Sequence, residues 1–162
     1  MHKAFLSILA CGMMVVSAAT ADQRHFEYAF YEACFLSLPN FDHVMQELTS
    51  PEWQKTEGAD PGEYEFYSSG TNVFLAMDGS RQGCTVMDES ISQNQAETIL
   101  EGALAAFLKN NTPASWARSV DQNNQAVWTL RMEELVIGTP PIKFYIDEGL
   151  GGGAAIIIEM NK

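Results

Sequence analysis

The chain has 162 residues, 46% of them hydrophobic, with 9 Lys and Arg against 21 Asp and Glu, for a formal charge of −12. That balance disfavours anionic lipid and leaves no nucleic acid expected as a partner, because phosphates need cationic side chains to neutralise them. It favours a cationic partner, whose approach is steered most strongly at low salt.

The first residues, Met1-His2-Lys3, place a positive charge ahead of an apolar run from Ala4 to Val16, interrupted only by Ser7 and Gly12. The run is short of the roughly 20 residues that cross a bilayer. Ala19-Thr20-Ala21 then supplies the small-x-small pattern of a signal-peptidase site. The order charged, apolar, small predicts a cleavable signal peptide over residues 1–21 and one globular domain over residues 22–162. Loss of Lys3 takes the mature charge to −13. The expected location is periplasmic or secreted, with no stable membrane insertion after cleavage. Ile8-Leu9-Ala10-Cys11 offers a lipoprotein alternative, acylated at Cys11. It is the weaker reading: about six apolar residues precede the cysteine, fewer than the ~7–15 of such a region, and the run continues to Val16.

After cleavage two cysteines remain, Cys34 and Cys84. An oxidising compartment predicts a structural disulfide between them. Closing a loop of that length stabilises the fold by about 4 kcal/mol in the chain-entropy model, less any strain.

Residues 23–37 read as a helix, with Phe26, Ala29, Phe30, Ala33 and Cys34 at 3–4 spacing on one face. Tyr28, Tyr31 and Phe35 fall toward a second face, as candidate contacts for a ligand or partner. Pro39 ends this run, and Asn40 caps a short second helix with Phe41, Val44, Met45 and Leu48 inward. Residues 55–62 read as a loop rich in breakers.

Three strands follow, Tyr64–Ser68, Thr71–Met77 and Cys84–Met87, separated by Ser69-Gly70 and Asp78-Gly79 turns. A helix from Gln93 to Lys109 begins with a capping box of Ser92 and Gln95 and carries an apolar stripe through Ala96, Ile99, Leu100, Ala103, Leu104, Phe107 and Leu108. Asn110-Asn111 is expected to supply a left-handed helix end. Trp116–Val120 and Gln125–Met132 flank an Asp121–Asn124 turn; Glu134–Ile137 is a further short strand, then Ile142–Asp147 and Ala154–Met160. Strands in blocks around one long helix predict α+β architecture. The expectation is an antiparallel sheet of six to seven strands in two meanders, with an N-terminal helix pair and the central helix on one face. No convincing repeat stands out in the residues.

Glu148-Gly149-Leu150-Gly151-Gly152-Gly153 is the conspicuous motif. Phosphate loops of this kind lead into a helix N-terminus. Here a β-branched strand follows and Asp147 and Glu148 repel anions, so a hairpin connection is expected, with Gly151, Gly152 and Gly153 as a secondary contact candidate. Asp88-Glu89 and Asp147-Glu148 are paired acids at strand ends. Neighbours on a strand point to opposite faces, so general acid–base chemistry needs one member of each pair to converge in a cleft. His25 and His43 lack metal-ligand spacing, and no Gly-x-Ser-x-Gly elbow occurs. No metal or cofactor is expected.

These readings favour an exported, non-enzymatic binding protein for a basic envelope or extracellular protein. The alternatives are a small hydrolase using Asp88, Glu89, Asp147 or Glu148, and a structural envelope domain.

Overall fold

The structure, a computed structural model, describes residues 21–38, 41, 44, 48–49, 51–59, 61–69, 71, 73–77, 83–111, 114–132 and 140–160. Helix α1 (Ala21–Tyr28) runs into a π-helical segment (Ala29–Phe35). Strands β1 (Trp53–Glu57), β2 (Tyr64–Ser68), β3 (Val73–Met77) and β4 (Gly83–Asp88) follow. Then come helix α2 (Gln93–Asn110) and strands β5 (Ser115–Val120), β6 (Ala126–Arg131), β7 (Ile142–Glu148) and β8 (Ala154–Met160).

The strands form one antiparallel sheet of eight, ordered β1-β2-β3-β4-β8-β7-β6-β5. Each half is a four-strand meander preceded by a helix, and the halves join where β4 pairs with β8. The duplication is one of topology. The last strand is central, so its apolar run Ala154–Ile158 is paired on both sides.

Among the described residues eight strands replace the six to seven expected, because Trp53–Glu57 is a strand that takes in the first three residues of the loop expected over 55–62. Its sequence, Trp-Gln-Lys-Thr-Glu, has little apolar alternation. Tertiary contact holds it: Trp53 is buried, and the Lys55 ammonium lies 3.9 Å from the centre of the Tyr64 ring. The expected strand at Glu134–Ile137 and most of the expected second helix lie outside the described residues. Of that helix, Phe41, Val44 and Leu48 are described, and all three are buried in the core.

One face of the sheet carries the core. Cys84, Ile158 and Phe144 stand in one row across β4, β8 and β7, and Val86, Ile156 and Ile146 in the next. α1 and the π-helical segment lie over β3 and β4, and α2 over β7 and β8, on this same face. The Cys34–Cys84 disulfide joins the π-helical segment to β4, with Cα atoms 6.0 Å apart, inside the ordinary range for such a bridge. α2 begins with its capping box, Ser92 and Gln95 reciprocally bonded. It is fastened to the sheet by Trp128 Nε1 donating to Glu101 (3.0 Å) and by the Arg118–Glu97 ion pair (3.1 Å). Its C-cap, Asn111, has φ −131°, so the expected left-handed end is not formed there.

The opposite face of the sheet presents Phe74, Met87, Ile157 and Tyr145, all half-buried. No described helix packs on that face.

Candidate functional site

The two helices do not close on one another. Between them, above the sheet, runs a groove of about 750 Å³. Tyr28 and Tyr31 line one side; Thr98, Ile99, Gly102 and Ala106 of α2 line the other. A Cβ built on Gly102 meets nothing within 4 Å, so the space beside α2 is open. The rim is polar, with Arg24, Glu27 and Glu32 on one helix and Asn94 and Gln95 on the other. A volume of this size lies within the ~300–1,000 Å³ of sites that accommodate a ligand or a docked segment.

Helical geometry explains why the tyrosines face this space. Phe26, Ala29, Phe30 and Ala33 point to the sheet and are fully buried. Tyr28 and Tyr31, three residues apart, share the flank that looks toward α2. Tyr28 is 40% exposed. Tyr31 is held in place by stacking on Phe35, with centroids 5.7 Å apart and planes 14° apart.

Phe35 does not share that flank, contrary to expectation. It is 1% exposed and lies in the core, touching the rings of Phe107 and Phe144. The cause is the π-helical geometry of residues 29–35, whose i→i+5 bonds include Leu36 N–H to the Tyr31 carbonyl (2.9 Å). The wider turn aligns Phe35 with Phe30 and rotates it inward.

The glycine loop and three of the four candidate acids meet at one end of the sheet. Asp88, Ala154 and Glu148 stand in one row across β4, β8 and β7. Asp88 is buried and Glu148 exposed. The loop is a tight hairpin connection, with Gly149 N–H donating to the Gly153 carbonyl. Gly151 has φ +69°, and a Cβ on it would press on Glu89 at 2.6–2.9 Å. A Cβ on Gly153 would strike the Asp88 carbonyl. These glycines let β8 start against the Asp88-Glu89 backbone. Asp147 is on the opposite face from Glu148 and accepts from the Glu148 N–H (2.8 Å).

Asp88 Oδ1 accepts from both the N–H and the hydroxyl of Ser90, at 2.6 and 2.7 Å. Its other oxygen, Oδ2, is buried without a hydrogen-bond partner, as is Ser68 Oγ. Ser68 carries no motif; it is two positions from Phe66 along β2, and both are buried. Gly102 was equally silent in the sequence: a glycine within a long apolar stripe reads only as a mild helix weakness.

Two tyrosines on the sheet face opposite the described helices hold their protons more tightly than usual. Tyr67 is raised because its hydroxyl donates to Glu65 (3.0 Å). Tyr145 is raised first by burial, then by the charges of Glu159 and Asp121.

No family model matches the chain, and neither a curated protein nor a solved structure matches it. The groove, the disulfide and the charge are therefore the basis for a functional reading. Among the described residues no helix is long and apolar enough to cross a membrane.

Proposed function

We propose that the protein works outside the cytoplasm as a binding protein, and that the groove between α1 and α2 receives an amphipathic segment of a basic protein partner. The observation that carries this reading is the open groove itself, lined by tyrosines on one side and by small residues around Gly102 on the other. Tyrosine suits such a wall, because it contributes a large apolar area with a polar tip. Small residues on α2 let a partner's side chains approach the helix backbone. Apolar side chains of the segment enter between the helices, and its cationic side chains meet Glu27 and Glu32 at the rim. The overall charge of −12 steers that partner in. The disulfide and the charged, apolar, small order of residues 1–21 support the exported location.

Photo-crosslinking tests the reading. A photoreactive residue at Thr98, inside the groove, is compared with one at Gln54, exposed on β1 at the far edge of the sheet. Adducts with a basic protein from Thr98 and not from Gln54 are expected. Equal adducts from both positions, or none from Thr98, contradict the groove as the contact surface.

A further inference from the structure

The sheet carries apolar side chains on both of its faces. Val73–Met77 of β3 and residues 154–158 of β8 are apolar at every position. Antiparallel strands with one face in water alternate apolar with polar residues, whereas a continuous apolar run marks a strand covered on both sides. The helices cover one side. We propose that a second copy of this chain covers the other, the two sheets packing face to face about a twofold axis that runs along β4. This inference is independent of the helix groove, which opens on the opposite side of the sheet.

The strand register carries it. β2, β3, β4, β8 and β7 are neighbours in that order, so β4 is the middle strand of the five. On the face opposite the helices, Phe74, Met87 and Ala155 form one row across β3, β4 and β8, and Ala76, Thr85 and Ile157 form the next. A twofold axis along β4 lays β3 of one copy over β8 of the other, and β2 over β7. Phe74 then faces Ala155, and Ile157 faces Ala76. Large side chains meet small ones in both rows, the pattern by which facing layers interdigitate. Met87 and Thr85 lie on the axis and meet their own counterparts.

Charge fits the same placement. Glu65 ends the second row on β2, and Tyr145 ends it on β7. Glu63 precedes Glu65 by two residues, and Lys143 precedes Tyr145 by two. A shallow concavity of about 470 Å³ lies here, with Phe74, Ala76 and Ile157 along it and Glu63 and Glu65 on its β2 side. The axis sets Glu63 and Glu65 of one copy against Lys143 and Tyr145 of the other, twice by symmetry. The ammonium and the phenol then donate to carboxylates across the interface. Packed sheets keep their strands within about 30° of each other, an angle that the long Glu and Lys side chains span. An axis across the strands, along the Glu65 row, would instead set Glu65 against Glu65, and like charges in contact disfavour it. The formal charge of −12 repels a second copy at long range, but physiological salt screens exposed charges beyond about 8 Å.

Sedimentation equilibrium of the exported, disulfide-bonded protein tests the proposal at physiological salt over a range of concentrations. A reversible monomer–dimer equilibrium with no larger species is expected, because a twofold contact closes on itself. Thr85→Cys puts a thiol on the axis, and mild oxidation is expected to link two copies through it. Ser119→Cys lies on the same face of β5, exposed and outside the five strands, and is expected to stay unlinked at the same concentration. Lys143→Glu is expected to weaken association about tenfold or more, through like charges at the contact. Glu63→Lys in the same chain is expected to restore part of the loss. That rescue separates the interface from damage within one copy, where the carboxylate opposite Lys143 on β8 is Glu159. Monomer at every concentration, equal linkage at positions 85 and 119, or association unchanged by Lys143→Glu overturns the proposal.

Discussion

Phe30 and Phe35 lie five residues apart with ring centroids 5.8 Å from one another and planes tilted by 55°, across one turn of the π-helical segment. In an α-helix the residue above Phe30 is Cys34. Here the wider turn places both Cys34 and Phe35 in the core, so the segment supplies a disulfide sulfur and an aromatic anchor from consecutive positions.

That arrangement separates two aromatic substitutions that look alike in the sequence. Phe35→Ala removes a ring that touches Phe30, Tyr31, Phe107 and Phe144, and is expected to cost about 3–5 kcal/mol. Tyr28→Ala, at a position 40% exposed, is expected to change stability by about 0.5 kcal/mol or less. Denaturant unfolding of the two variants checks the contrast.

Much of the fold was legible in the residues, and the failures have identifiable causes. β2, β8 and α2 follow from the Ser69-Gly70 turn, from a β-branched run and from the capping box. β1 was hidden because it is an edge strand whose pairing, not its pattern, makes it a strand. Phe35 was misplaced because 3.6-residue periodicity does not describe a π-helical turn. The candidate site was less legible still. Tyr28 and Tyr31 drew attention by being aromatic, whereas Gly102 matters only because α1 stops short of it. Ser68 and Asp88 become related only through the sheet register.

The Cys34–Cys84 bridge spans 50 positions. Replacing both cysteines with Ala is expected to lower stability by about 4 kcal/mol in the chain-entropy model. Mass analysis of the exported protein, alkylated with and without prior reduction, should find both thiols blocked until reduced. Two thiols labelled without reduction contradict the bridge.

Two glycines should respond in opposite directions. Gly153→Ala drives a methyl into the Asp88 carbonyl and should cause a large loss of stability. Gly102→Ala, in open space within α2, should raise stability by up to about 1 kcal/mol. Thermal unfolding of the two variants gives the sign of each directly.

The Tyr67 phenol titrates above its ordinary value because it donates to Glu65. A proton held more tightly in the folded state adds stability that is fully present below the unfolded phenol value, near 10. That contribution is lost as pH rises through the folded value. Glu65→Gln removes the carboxylate and should move the Tyr67 titration down, as read from phenolate absorbance.

Gly102→Leu fills the groove from the α2 side without disturbing a packed neighbour. Its affinity for the cross-linked basic partner, measured by calorimetry at low salt beside the unaltered protein, bears most directly on the groove as a binding site. A fold at least as stable as the original, with binding lost or greatly weakened, is the expected result. A stable variant that binds the partner with unchanged affinity contradicts it.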